Sequence, residues 1–208
     1  TYNGGFTLTD SGDYLGSFSD HEVMRREIRR HSPVDVDAYD RYYHQMAKWC
    51  RFIRPLLLRT PPDPTSFKPR DLDELKFLGK KFFDLGQRDL YDFMKFFTVS
   101  VGDFLDEFFE SDLIKAHKAG SAVVGTNLGP RSPGTAYVLL HHYMGDVDGA
   151  VGAWGFPRGG MGSVSGALAG ALQEHGGEIR INAGVDKIMV KRGKVTGGRL
   201  ENGEEILA

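Results

Sequence analysis

Gly155-Phe156-Pro157-Arg158-Gly159-Gly160-Met161-Gly162, running into the Ala/Leu-rich stretch from Ser163 to His175, is the passage from which the rest of the chain becomes readable. Glycines at 159, 160 and 162 let a backbone turn sharply and approach a neighbour closely. The stretch behind them predicts a helix over 163–175, closed by Gly176-Gly177 as a left-handed cap. Residues 178–181 then predict a short strand, and 185–191, 195–200 and 205–207 predict three more. Arg192-Gly193-Lys194 and Glu201-Asn202-Gly203 separate the last three as hairpin turns, so the tail is a helix leading into a β-meander. The unpaired N–H groups and positive end of a helix starting near Ser163 suit an anion; a plain entry turn into a helix packed on a sheet explains the same glycines. The passage is not a dinucleotide fingerprint. Gly160-x-Gly162-x-x-Ser165 fails at its last position and follows Trp-Gly-Phe-Pro-Arg rather than an apolar strand.

Upstream the texture is helical. Phe6-Thr7-Leu8-Thr9 and Tyr14-Leu15-Gly16-Ser17-Phe18 flank the turn-rich Asp10-Ser11-Gly12-Asp13 and predict a β-hairpin. Ser19 and Glu22 have capping-box spacing, with Phe18 and Val23 placed as a staple, for a helix over 20–30 that Ser32-Pro33 breaks. Over 36–58, Tyr39, Tyr43, Met46, Cys50 and Ile53 form a one-sided apolar stripe. Thr60-Pro61-Pro62-Asp63-Pro64 is a stiff connection, and helix resumes near Asp71. Leu90, Phe93, Phe97, Val101, Phe104 and Phe108 follow helical spacing in a Phe-rich run, which serves either as ordinary core or as the wall of an apolar pocket. A further helix is expected from Ser132-Pro133, carrying the adjacent His141 and His142, which point to different faces and cannot share a metal as i, i+4 histidines do.

Composition narrows the function classes. Across 208 residues, 26 Lys+Arg against 28 Asp+Glu give a net charge of −2, so no global basic field exists to hold nucleic acid. Cys50 is the single cysteine; it has no disulfide partner, no second thiol for zinc, and reads as buried core in a protein expected to be cytoplasmic. No run approaches the ~18 apolar residues of a membrane span, which leaves peripheral contact as the membrane association the sequence allows.

The turn Phe156-Pro157-Arg158-Gly159-Gly160, the helix, the Gly176-Gly177 cap, the strand and Val185-Asp186-Lys187-Ile188 with its meander occur in an order and spacing that resemble the phytoene desaturase family of FAD-dependent, amine oxidase-like flavoproteins. The likeness is greatest to the branch that includes the animal pyridine nucleotide-disulfide oxidoreductase domain-containing proteins, and it reaches back through the helices to Asp89-Leu90-Tyr91. Four expectations follow from this resemblance. The fold is α+β, with a mainly helical substrate-side domain over 1–154 and part of an FAD-binding domain over 155–208. Val185 matches a strand position that meets the adenosine end of FAD, while Gly159 and Gly160 match the crossover turn between substrate and flavin domains. The activity is hydride transfer from an apolar or amphipathic substrate to flavin, with no catalytic residue nameable and no nucleophile elbow around any serine. Lastly, a chain opening at Thr1 and closing at Ala208 just after a strand is expected to be an internal section, weak or lacking in FAD binding on its own, inactive alone and prone to self-associate. The rival expectation is a non-enzymatic lipid-binding or protein-interaction module built on the Phe-rich helices.

Overall fold

The first element is the expected hairpin, in a computed structural model that describes residues 5–147, 150–151 and 155–207. β1 (Phe6–Leu8) pairs antiparallel with β2 (Tyr14–Gly16), with Leu8 opposite Tyr14 and Gly12 turning at φ 82°. α1 (His21–His31) follows, and its cap lies one residue later than the Ser19 box predicts. The Asp20 carboxylate accepts the Val23 N–H at 2.9 Å; aspartate is as good a cap as serine and also favours the positive helix end. Met24 and Ile28 are the residues α1 buries.

A 3-10 turn, Pro33–Asp35, leads into α2 (Val36–Leu57). Tyr39, Met46, Cys50 and Ile53 are buried as the stripe predicts, but Tyr43 is 39% exposed, and Tyr42 and Trp49 lie at the centre instead. The buried face therefore keeps four of the five predicted residues and shifts a little toward Tyr42 and Trp49. Pro55, which has no N–H to donate, stands in the last turn, and the helix stops two residues on.

After the proline-rich connection comes α3 (Pro69–Thr98), kinked at Gly86, whose φ of 75° only glycine adopts without strain. The Phe-rich run is not one helix. It breaks at extended Val99 and Ser100, and the Ser100 hydroxyl caps α4 (Val101–Asp106) by accepting the Asp103 N–H at 3.0 Å. α5 (Asp112–Ala119) is capped likewise by Ser111. α6 (Thr135–Tyr143) begins later than Ser132-Pro133 predicts. Gly134 takes the cap with φ 82°, and Thr135 Oγ1 both donates to the Ser132 carbonyl at 2.7 Å and accepts the Val101 N–H at 2.8 Å. β3 (Asp146–Val147) and β4 (Ala150–Val151) pair antiparallel.

These helices enclose an aromatic core. Tyr42 is ringed by Phe104, Phe108, Phe109 and Tyr143 at centroid distances of 5.3–6.2 Å, and Trp49 meets Phe93 at 5.0 Å. Burial pushes the Tyr42 phenol well above its usual value, so it stays neutral.

The chain divides into two compact units, Thr1–Gly155 and Phe156–Ala208. In the second, α7 (Gly162–Glu174) ends in a Schellman motif, with the Gly177 N–H on the Leu172 carbonyl at 2.9 Å, the Gly176 N–H on Gln173 at 3.0 Å, and Gly176 at φ 78°. β5 (Val185–Lys191), β6 (Lys194–Leu200) and β7 (Glu205–Leu207) form an antiparallel sheet in that order. Arg192 and Gly193, both at positive φ, make the tight turn between the first two. The strand expected over 178–181 does not form. A strand needs a ladder partner, and none stands beside this segment among the described residues; Arg180 instead holds it to the meander through both oxygens of Glu204 at 2.8 Å. The whole is an α+β fold, mostly helical.

Candidate functional site

The glycine turn is built by backbone conformation. Gly159 and Gly160 stand at φ 90° and 83°, where an L side chain is strained, and the Gly160 N–H closes the turn on the Pro157 carbonyl at 3.1 Å. Space is not the constraint: a Cβ on Gly160 would meet nothing within 4 Å, and one on Gly159 only the Ser163 Cβ at 3.7 Å. The Gly160 carbonyl accepts both the Ser163 N–H, at 3.1 Å, and the Ser163 hydroxyl, at 2.7 Å. Val164 donates to Met161 at 3.1 Å. Two of the first N–H groups of α7, and the hydroxyl nearest them, are therefore committed within the turn.

Val185 opens β5 opposite Leu200 and is 57% exposed. A register shift follows between Val185 and Lys187, where a bulge turns the strand. The close approach in this sheet lies elsewhere, at Gly197 on β6, where a Cβ would run into the Ile206 carbonyl. α7 buries no residue, Val164, Leu168 and Leu172 are all exposed along one side of it, and Leu200 is the buried hydrophobic residue among those described. Tested against FAD, the glycine turn and the start of β5 do not by themselves enclose a dinucleotide. Their helix end is partly self-satisfied, and no glycine fingerprint follows a strand.

In the first unit the Phe-rich run is chiefly core: Phe93, Phe96, Phe104 and Phe109 are all buried. A depression of about 160 Å³ opens beside it, walled in part by Phe96, Phe104 and Phe108. The larger cavity, about 360 Å³, lies instead along α2 at Tyr43, His44, Ala47, Cys50, Arg51 and Arg54, with Tyr143 from α6. Sequence reasoning assigned Tyr43 and Cys50 to the core stripe and did not single out the rest; the trace it left is the placing of small Ala47 and exposed Tyr43 on one side of a helix otherwise lined with large residues. Burial pushes the Cys50 thiol up to about 11, against the pull of Arg54 and Arg51, so it is protonated at neutral pH. His141 and His142 stand with rings 5.8 Å apart and nearly perpendicular, and no group of three or more metal-competent side chains occurs among the described residues. No described helix is long and apolar enough to cross a membrane.

With this geometry in view, the likenesses to known proteins are informative. Residues 19–208 match the family described as flavin containing amine oxidoreductase. The pyridine nucleotide-disulfide oxidoreductase domain-containing protein 2 of Mus musculus is 36% identical over 196 residues, covering 90% of this chain and 34% of that protein. A 4,4'-diapophytoene desaturase (4,4'-diapolycopene-forming) of a Methylomonas species is 24% identical over 91% of the chain and 33% of its own length. The phytoene desaturase (lycopene-forming) of Pseudescherichia vulneris is 25% identical over 93% and 35% respectively. The chain thus spans about a third of the length of these curated relatives.

Proposed function

As this chain belongs to the flavin-containing amine oxidoreductase family, we propose that it serves as the substrate-side helical unit and one flavin-facing segment of an FAD-dependent dehydrogenase or desaturase. The flavin, when bound, supplies the hydride acceptor for oxidation of an apolar or amphipathic substrate. The part assigned to the chain's own residues is to hold that substrate and keep water from it, which suits an aromatic helical core better than it suits acid–base chemistry. The observation that carries the reading is the match over 19–208. A non-enzymatic module built on the Phe-rich helices has less to stand on, since Phe93, Phe96, Phe104 and Phe109 are spent on the core.

Gly159, Gly160 and Val185 are proposed as one edge of the flavin site, incomplete by themselves. Titrating this chain with FAD is expected to give no submicromolar binding and no retained visible flavin bands, whereas a protein of the relatives' full length carries both. Submicromolar affinity for the chain alone would mean that residues 159–162 and α7 make a complete phosphate site, and would remove the division of labour proposed here.

The apolar side chains left open on α7 and the meander, among them Leu168, Val190 and Leu207, are proposed to be covered by another part of a flavin domain. Alone, the chain is expected to self-associate through them, with light scattering showing a mass that rises with concentration. A monomeric mass across the whole dilution range would leave that covering without support.

A further inference from the structure

We propose that the cavity along α2 binds an anionic amphipath, a carboxylate or phosphate head on an apolar chain, with the Arg51 guanidinium as head-group partner and Tyr43, Ala47, Cys50 and Tyr143 as the wall for its tail. The inference rests on the reading of this unit as the substrate side and gives that substrate a chemical class.

Shape comes first. Tyr43, Ala47, Cys50 and Arg54 follow one another at four-, three- and four-residue steps, which sets them on one side of α2, and Ala47 is the small residue that makes room among them. At about 360 Å³ the hollow lies within the range of pockets that take a small organic ligand. Its floor is uncharged, because the Cys50 thiol is protonated.

Charge comes next. Among the described residues, none of the lining side chains is acidic. Arg41, His44, Lys48 and Arg51 recur at three- and four-residue spacing along the same helix and make a basic stripe beside the opening. Within it Lys48 is held by Asp89 at 2.6 Å, and His44 spends Nδ1 on the Asp40 carbonyl at 2.7 Å. Arg41 and Arg51 have no ion pair among the described residues. A guanidinium at the rim of an apolar hollow, with no carboxylate partner among the described residues, matches the two ends of an anionic amphipath: its planar donors suit a carboxylate or phosphate, and the hollow removes the tail from water. A neutral hydrocarbon would use only the hollow, and a bare anion only the guanidinium.

The test is a calorimetric titration of the chain with dodecanoate and dodecyl phosphate below their micelle concentrations, with dodecanol as the neutral tail and inorganic phosphate as the bare head. At least one anionic amphipath is expected to bind about tenfold more tightly than dodecanol, and inorganic phosphate not measurably; whichever head wins identifies the source. Arg51→Gln should bring the anionic ligand down to the affinity of dodecanol while leaving dodecanol binding and the thermal melt unchanged. Ala47→Phe, used only if its melt shows it folded, should abolish binding of all the amphipaths. Equal affinities for dodecanoate, dodecyl phosphate and dodecanol, or undiminished anionic binding in Arg51→Gln, would overturn the proposal. So would binding to anionic phospholipid vesicles with none to the monomeric amphipaths, which would make the stripe a membrane-surface contact. No flavin enters these titrations, so their failure is separable from a failure of the FAD experiment.

Discussion

Replacing Asp35 with alanine is expected to destabilise the helical unit by about 3–5 kcal/mol, or roughly 10 °C in melting temperature for a unit of this size. The side chain is 1% exposed and lies in the 3-10 turn between α1 and α2, yet its work is done far along the chain. Oδ1 accepts the Glu110 N–H at 2.8 Å and Oδ2 accepts the Ser111 N–H at 3.0 Å. Ser111 is in turn the cap of α5, so one carboxylate ties the 3-10 turn ahead of α2 to the beginning of α5. Alanine would leave two part-buried backbone N–H groups without their acceptor, and such groups cost more unmade than they contribute when made. Asp35→Asn retains one acceptor oxygen but turns an NH₂ toward the second N–H, and is expected to fall between parent and alanine variant. Urea unfolding followed by far-UV circular dichroism reads all three. An alanine variant within about 1 kcal/mol of the parent would show that water reaches the Glu110 and Ser111 N–H groups and that the carboxylate does not hold this junction.

Asp35 also marks the limit of what the sequence discloses. Its partners lie 75 and 76 residues away, and nothing local distinguishes it from any other aspartate ahead of a helix. Where structure is decided locally, reading from sequence succeeds. The hairpin at 6–16, the Gly176-Gly177 cap and the three meander strands each depend on turn residues that are visible in place. Local competition accounts for the boundary errors: Asp20 outbids Ser19, and Gly134 with Thr135 displaces Ser132, because neighbouring residues offer caps of similar strength. Ser100 breaks the Phe-rich run for a related reason, its hydroxyl giving the Asp103 N–H an alternative to a helical carbonyl. The missing strand at 178–181 is a different case. Glu178-Ile179-Arg180-Ile181 alternates as a strand should, but pairing is a property of two segments, and alternation in one cannot supply the other.

The candidate sites divide along the same line. Gly159 and Gly160 announce a turn requiring positive φ, and that is where the structure has them. The cavity on α2 has no such signature. Tyr43 and Cys50 read as one stripe, and only rotation of the buried face toward Tyr42 and Trp49 separates the half-exposed tyrosine from the core and opens space above Ala47. A rotation that leaves Tyr39, Met46, Cys50 and Ile53 buried is within the tolerance of any periodic pattern.

Acid is expected to weaken the attachment of the N-terminal hairpin to α5 through His117. Its Nδ1 hydrogen-bonds Thr7 Oγ1 at 2.8 Å and its Nε2 hydrogen-bonds Ser17 Oγ at 2.7 Å, so the ring ties β1 and the residue that follows β2 to the helix. Burial, reinforced by the neighbouring Lys118 and opposed by Glu27, lowers its pKa to about 4. An unfolded histidine titrates near ~6.5. Between those values the unfolded chain carries a proton that the folded chain refuses, so stability rises with pH across the window. The contribution is whole above ~6.5 and is lost progressively as pH falls toward ~4, a total of about 3 kcal/mol. Carboxylates such as Asp13 and Glu27, held below their usual range chiefly by Arg30, also lose stabilising charge in acid, so the pH profile of the parent alone is ambiguous. His117→Gln keeps a donor and an acceptor in place and removes the titration. The difference in unfolding free energy between parent and variant isolates the imidazole, since the carboxylates cancel. That difference is expected to stay flat from pH 8 to about 6.5 and then to move in favour of the variant by about 3 kcal/mol on approaching pH 4. If it were the same at pH 8 and pH 4, the ring would be taking up its proton within the fold, and the hairpin's hold on α5 would not depend on a neutral His117.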